Sequence, residues 1–346
     1  MTAPGSGLGS LPLATGIEAS YGVAPASLTK ALPVDSCEIK FAPTYFKGQG
    51  LHGGTLARYD AETVLVQGDA AGSIKSNFYY NGMGRLLGLL QGSLGLAPTQ
   101  QSSTTAYQQV HAFANTWGQS LTVVQKIMDV SQSPHYWQTL GVKVGDAQFE
   151  CSAGNPLLAT FTVDAQDRFE LASAPTMPSD PGGSPYFAWH QMAVKIGAFG
   201  SEAKVDGVTK WTGQIKRAHA DKRFNAGNVT TNPSKLYAVK DQPVDNGFAD
   251  ITGTLDTEYL NDTLFENYWN TDSYFSLIVA FTSATLAGTG FPYSVTFAFP
   301  RCRFIVGEDP TLPGPDIVKP SMGYEVMLDG THPACTITVV NQDTTL

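Results

Sequence analysis

The chain has 346 residues, of which 42% are hydrophobic and only 15% charged, with a formal net charge of −9 at pH 7. That length suits two domains of ordinary size, and the acidic balance excludes a protein that holds nucleic acid by neutralising phosphates, though not one that lets nucleic acid pass without sticking. The 35 Gly and 21 Pro fit β structure with many loops better than long surface helices. Cys37, Cys151, Cys302 and Cys335 form no Cys-x-x-Cys pair and read as buried free thiols of an intracellular, reduced chain. The N-terminal stretch lacks the charge and apolar core of a signal peptide. No run of about 18 apolar residues predicts a membrane span.

Residues 1–16 are small and Gly/Ser-rich, and read as an arm outside the core. A strand is expected towards the end of Ala31–Ala42, with Cys37, Ile39 and Phe41 on one side. Pro43–Thr63, with Gly48, Gly50, Gly53 and Gly54, is long for a connection and reads as a hairpin or loop that reaches a neighbour. Gly72–Leu90 then joins a period-two strand (Ile74, Ser76, Phe78) to a short helix, in which Met83, Leu86, Leu87 and Leu90 fall on one face. Further strands are expected within Gln119–Val130, Tyr136–Cys151 and Leu157–Ala165. The Pro/Gly/Ser-rich run Leu171–Pro185 is the best internal linker. Beyond it come Trp211–Ala218, a second excursion at Asp221–Gly247, the strands Tyr274–Phe281 and Tyr293–Val306, a Pro-rich loop Gly307–Met322, and closing strands Gly323–Leu328 and Ala334–Asn341.

The chain echoes itself. Gly253–Trp269 repeats the strand–helix plan of Gly72–Leu90, with Leu255, Thr257 and Tyr259 alternating, Asn261 or Asp262 as cap, and Leu264 and Tyr268 on a helical face. Without a gap, Gly72 falls on Gly253, Ile74 on Leu255 and Phe78 on Tyr259. Ile39-Lys40-x-Ala42 falls on Ile215-Lys216-x-Ala218, and Thr160–Val163 on Thr336–Val339. Matches in one order read as a tandem duplication. The predicted organisation is an arm at 1–16, one domain at 17–170, a boundary loop at 171–185 and a second domain at 186–346.

No constellation points to chemistry. Gly82-Met83-Gly84-Arg85-Leu86-Leu87-Gly88 follows a strand, but it has Leu87 where a dinucleotide fingerprint needs Gly, and it lacks the βαβ unit. Its glycines read as sites of close helix packing. The six histidines, His52, His111, His135, His190, His219 and His332, show no metal-ligand spacing. The acid pairs Asp164/Asp167 and Glu308-Asp309 read as solvated turns. Lys204, Lys210, Lys216-Arg217, Lys222-Arg223, Lys235 and Lys240 make the middle of the chain locally basic, as a surface for an acidic neighbour or as a solvated strand edge. Tyr268, Trp269, Tyr274, Phe275, Phe281 and Phe291 read as core or interface anchors. No catalytic, cofactor-binding or metal-binding residue is predicted, and no cofactor.

In order, these pieces resemble the tail tube proteins of long non-contractile (siphophage) bacteriophages. The resemblance rests on Glu18-x-x-Tyr21-Gly22 as the opening motif, on Gly72–Phe78 feeding the Leu-rich helix Met83–Leu90, and on the strand pair within Tyr136–Val163. It covers most of residues 16–345 and departs at Leu171–Pro185 and Gly307–Met322. It implies a mainly β fold with short helices: two tandem β-sandwich or β-barrel domains, each with a flanking short helix. It also implies a non-enzymatic virion protein, made in the bacterial host cytoplasm, whose rings stack into a hollow tube for DNA ejection. Duplication favours a trimer with pseudo-sixfold symmetry over a hexamer. The implied partners are further copies, tape-measure and tail-tip or terminator proteins, and DNA that passes the lumen unbound, without a membrane. An acidic chain is expected to line that lumen with carboxylates that repel phosphates. The rival readings are a tail-tip or head–tail connector ring of the same fold, and a β-sandwich binding module.

Overall fold

A computed structural model describes residues 9–48, 60–115, 118–179, 184–220, 222–232, 235–260, 263–307 and 314–346. The N-terminal half carries β1 (Gly9–Ile17), β2 (Lys30–Leu32), β3 (Ser36–Lys47), β4 (Thr63–Asn77), helix α1 (Gly84–Gln91), β5 (Thr99–Gln100), β6 (Tyr107–Ala112), β7 (Leu121–Met128), β8 (Pro134–Ser152), β9 (Leu158–Ala165) and β10 (Asp167–Glu170). The C-terminal half carries β11 (Met192–Gly197), β12 (Ala203–Val205), β13 (Val208–Lys216), β14 (His219–Ala220), β15 (Phe224–Val229), β16 (Ala238–Lys240), β17 (Val244–Asp245) and β18 (Asp250–Thr257). A π-helical turn (Phe265–Trp269) follows, then β19 (Phe275–Gly288), β20 (Phe291–Gly307), β21 (Ser321–Val326) and β22 (Thr336–Asn341). The fold is mainly β with short helices, as the composition predicts.

Strand pairing repeats between the halves. In the first, β3–β4–β9–β8 lie side by side, and the leading part of β8 also pairs with β7 and β10 while β7 pairs with β1 and β1 with β2. In the second, β13–β18–β21–β20 lie side by side, and β20 pairs with β19 and β22 while β19 pairs with β11 and β11 with β12. With Gly72 set on Gly253, Val163 falls on Tyr324 and Val144 on Phe304. Both β8 and β20 then break register at the next residue, between Val144 and Asp146 and between Phe304 and Val306.

This pairing corrects the two other echoes. Gly72 faces Ile39 but Gly253 faces Gly213, so the Ile39–Ile215 match is displaced by two residues, which leaves the face unchanged. The counterpart of β9 is β21, beside β18, and β22 is the counterpart of β10. Thr160–Val163 and Thr336–Val339 therefore sit on strands with different neighbours. Their likeness reflects only that alternating Thr and Val suits any half-buried strand.

Three further expectations change. Of the predicted arm, residues 1–8 lie outside the described residues, and Gly9–Ile17 is a strand between β2 and β7 with Leu13 and Ala14 buried. Helix α1 is buried on every side, Arg85 and Gln91 included, rather than along one stripe. Gly84 and Gly88 allow this, since a Cβ at Gly84 would meet the Gln109 side chain at 2.3 Å and one at Gly88 would meet the Leu94 backbone at 3.0 Å. In the second half β18 ends at Thr257, before Tyr259, and the helix is one π turn. The expected caps at 261 and 262 lie outside the described residues.

The two halves share one interior. Phe149 of β8 packs on Phe297 of β20 with ring centroids 4.9 Å apart, and Trp211 of β13 packs on Phe297 at 5.0 Å. Phe187, just past the Pro-rich run, is buried against Tyr80 at 4.6 Å. Each half also lends an insertion to the other: β6 pairs antiparallel with β22, and β16 pairs parallel with β4. The C-terminal tail returns to α1, where Arg85 donates to the main-chain oxygen of Leu346 at 2.9 Å and Gly82 N–H to Asp343 at 2.7 Å.

Candidate assembly surface

The trailing part of β8 forms the join between the halves. Its Asp146–Ser152 run pairs with β9 on one edge and, antiparallel, with Lys216–Lys210 of β13 on the other. Eight strands thus run unbroken in the order β3–β4–β9–β8–β13–β18–β21–β20. One face carries Ile39, Ile74, Phe161, Phe149, Trp211, Leu255, Tyr324 and Phe304, all buried. The alternation of strands puts polar side chains on the other.

That polar face is built in cross-strand rows. One row reads Ser36–Lys75–Thr160–Gln148–Gln214–Thr252–Glu325–Arg303, one residue from each strand. The next reads Glu38–Ser73–Thr162–Asp146–Lys216–Asp250. Acids and bases are interspersed among Ser, Thr and Gln: Lys210 pairs with Glu150 at 2.9 Å, Gln214 donates to Asp146 at 2.9 Å, and the Thr212 and Thr254 hydroxyls lie 2.7 Å apart. The face is mixed in sign, not a field of carboxylates. Opposite charges directly across a sheet stabilise it by roughly 0.2–1 kcal/mol per pair.

The sheet has two outer edges. Among the described residues β3 pairs only with β4, and β20 beyond its register break pairs only with β21. Ile305 and Val306 are exposed there, as are Tyr45, Phe46, Val64 and Val66 on the outer part of the β3–β4 hairpin. The predicted excursion at 43–63 is thus a hairpin as far as Lys47 opposite Thr63; residues 49–59 lie outside the described residues.

The second excursion packs inward. Its β16 takes the side of β4 that β9 vacates at Ala165, with Ala238 opposite Gln67 and Val239 opposite Gly68. Tyr237 packs against Phe41 with ring centroids 5.4 Å apart and donates to Asp167 at 2.7 Å. Lys240, 1% exposed, is ion-paired with Asp69 and Asp164. Asp164 and Asp167 are therefore buried, against the solvated turn expected of them. Burial pushes the Asp164 carboxyl above the usual carboxylate range, and Lys240 pulls the other way. The sequence holds no local signal for this cluster, because its members come from β4, β9 and β16.

The Glu18-x-x-Tyr21-Gly22 motif is a structural pin. The buried Glu18 carboxylate accepts from Gly22 N–H at 2.9 Å, Gly141 N–H at 2.8 Å, the Ser120 hydroxyl at 2.5 Å and the Thr122 hydroxyl at 2.8 Å. It fastens the end of β1 to β7 and β8. Gly22, at φ +74°, makes the turn, and a Cβ there would strike Gln166 at 1.8 Å.

The other singled-out residues are dispersed. Arg217 is buried, donates to the carbonyls of Leu90 and Ala114 and lies over Phe113, while Lys204 pairs with Asp206, so the basic stretch forms no patch. Lys235 is exposed, and Lys222 and Arg223, also exposed, precede β15. His111 is buried beside Ser93 and burial lowers it to about 4; His135 meets Glu170, and His332 meets Asp329. His52 and Glu308-Asp309 lie outside the described residues. Among the described residues no three His, Cys, Asp or Glu side chains are grouped to hold a metal ion. Cys151, Cys302 and Cys335 are buried free thiols and Cys37 is half-buried; burial raises Cys37, Cys151 and Cys335 to about 12. Of the aromatic anchors, Phe275 and Phe281 are core, whereas Tyr274 is exposed under Arg301 at 3.9 Å. No helix among the described residues is long and apolar enough to cross a membrane.

A family model described as "Phage tail tube protein" matches residues 12–326. No curated protein matches the chain.

Proposed function

The chain belongs to the phage tail tube protein family, and we propose that it forms rings which stack into the hollow tube through which DNA leaves the virion. The family is one of structural tail proteins, not of enzymes. The observation that carries the reading is the β8–β13 join: within one chain, the trailing edge of one half already pairs with the leading strand of the next. Its counterparts, the outer edge of β20 at Val306 and Gly307 and the outer edge of β3, remain open among the described residues. Closing them between copies removes the edges that otherwise template aggregation.

On this reading residues 17–170 and 186–346 are two duplicated tube domains, and three chains supply six positions in a pseudo-sixfold ring. The polar face of the eight-strand sheet lines the channel. Its charges are of both signs and interleaved, so DNA meets a surface with little net field rather than a repulsive one. Tape-measure and tail-tip or terminator proteins are the partners such a tube requires, and assembly takes place in the host cytoplasm.

Negative-stain electron microscopy and native mass measurement of the purified chain test this. Hollow rings and long filaments containing three chains per ring are expected. Rings of six chains overturn the trimer. Rings that never stack favour the tail-tip or connector reading, and a chain monomeric under all assembly conditions overturns the proposal.

A further inference from the structure

Lys240 is a buried amine held between two acids. It lies on β16, 1% exposed, and its ammonium contacts Asp69 of β4 and Asp164 of β9. Strand pairing brings the three together. β16 runs parallel to β4 with Val239 opposite Gly68, and β9 pairs with β4 farther along, with Asp164 opposite Ala71. Other lysine pairs differ. Lys204–Asp206 and Lys210–Glu150 lie in solvent, where water keeps both partners charged and screens their attraction. Lys30 pairs with Asp343 alone among the described residues. Lys240 combines two features: it is out of water and it is flanked by two carboxylates.

Burial makes the charged state costly at this place. Desolvation is the first influence on Asp164 and raises its carboxyl, with Lys240 pulling it down. Asp164 Oδ1 accepts from the ammonium, but Oδ2 is buried and meets no donor among the described residues. A buried carboxylate oxygen without a donor carries a desolvation cost that nothing offsets. Turning that carboxylate and the ammonium into a neutral amide removes both charges and the orphan oxygen together.

We infer that Lys240 and Asp164 join through an isopeptide bond within the chain, with Asp69 as the acid–base group. Asp69 accepts a proton from the Lys240 ammonium, which frees the Nζ lone pair to attack Asp164 Cγ. Asp69 then gives that proton to Oδ2, and a second proton from Nζ completes a water molecule. The Nζ–Cγ bond forms and the Cγ–Oδ2 bond breaks. An ammonium and a carboxylate thus become an amide and water, with nothing oxidised or reduced and Asp69 regenerated. The Asp69 side chain, at 19%, is the most exposed of the three, so water departs on its side. Until the bond forms, the three side chains are the ionic cluster described above. The bond ties the second excursion covalently to the first half and, as a disulfide does, constrains the unfolded chain. It lies within one chain, so it stands apart from the ring reading.

Intact-mass measurement of the purified full chain, denatured, tests it. The wild-type chain is expected to be lighter than its sequence by one water. Its protease digest is expected to contain a branched peptide that joins the segments around Asp164 and Lys240. Lys240→Arg keeps the positive charge and is expected to show the full mass of its own sequence. Asp69→Asn is expected to show full mass as well, because no group remains to take the proton. A wild-type chain at full sequence mass after prolonged incubation overturns the inference, as does a lost water that the digest places elsewhere. Asp69→Asn that loses water as completely as the wild type overturns the role given to Asp69. The wild-type mass decides the matter even if a variant fails to fold.

Discussion

The Lys240 ammonium sits between the carboxylates of Asp69 and Asp164, so a strand from the C-terminal half neutralises two acids of the N-terminal half. Removing one member of a buried ionic cluster leaves charge uncompensated, which costs about 3–5 kcal/mol. Lys240→Met is expected to lower stability by that order in urea unfolding, and adding Asp164→Asn to recover part of it. Asp164 has a folded pKa raised by burial. A raised carboxyl contributes stability below its unfolded pKa and loses it as pH rises through the folded value. The deficit of Lys240→Met is therefore expected to be largest near neutral pH and to shrink towards pH ~4, and a pH-independent deficit would argue against ionic compensation.

Glu18 gives a second test. Its two oxygens accept four hydrogen bonds, from Ser120 just before β7, from β7, from β8 and from the Tyr21–Gly22 turn. Each buried donor left without an acceptor costs roughly 1–3 kcal/mol. Glu18→Ala is expected to destabilise by at least ~3 kcal/mol, because two of the donors are main-chain N–H groups that cannot turn away. Glu18→Gln keeps the shape but points an amide N–H at donors, so an intermediate loss is expected. Thermal unfolding of the two variants ranks them, and equal losses would assign the site to packing rather than hydrogen bonding.

What was legible in the sequence follows periodicity. β7, β8 and β9 were placed within a few residues, and the alternating part of β4 from Gly72 onward was found, although β4 starts nine residues earlier, at Thr63. The Gly72–Gly253 match survives because both glycines occupy the same place beside equivalent strands. The burial of α1 was hidden by Arg85 and Gln91, polar residues that resemble a solvent face. In fact Arg85 is satisfied by Thr15, Thr29 and Leu346, drawn from both ends of the chain. Strand β1 was hidden by its small residues, which read as an arm but let Leu13 and Ala14 fit tightly between two strands. The crossings of β6 and β16 left no local trace, since parallel or antiparallel addition at a distant edge asks nothing special of a short strand.

The shared aromatic interior predicts how the chain unfolds. Phe149 and Phe297 come from different halves and pack with centroids 4.9 Å apart, and Phe78 reaches Phe297 at 6.3 Å. Phe297→Ala is expected to cost about 3–5 kcal/mol and to shift one unfolding transition rather than uncover two. Residues 186–346 expressed alone are expected not to fold, because β13 loses β8 and β22 loses β6. Two resolved transitions in calorimetry, or a well-dispersed NMR spectrum of the fragment, would show that the halves are thermodynamically separate.

The turn between β7 and β8 carries a pH response of its own. His135 Nδ1 lies 2.5 Å from Glu170 Oε1, and Nε2 lies 3.5 Å from Asp129 Oδ2. The Glu170 hydrogen bond and then that of Asp129 raise the imidazole above its ordinary value. Asp129 in turn is held low, first by the Ser133 N–H, so it stays ionised as the partner. A histidine raised on folding stabilises fully below about 6.5 and loses that contribution as pH rises through its folded value. Asp129, lowered on folding, contributes above its unfolded pKa and fails only in stronger acid. The turn is therefore expected to be tightest in mildly acidic solution and to loosen towards alkaline pH, and the effect is small because the groups are exposed. NMR titration of His135 should give a midpoint above 6.5, falling towards that value in Glu170→Gln. An unchanged midpoint in that variant would remove Glu170 as the cause.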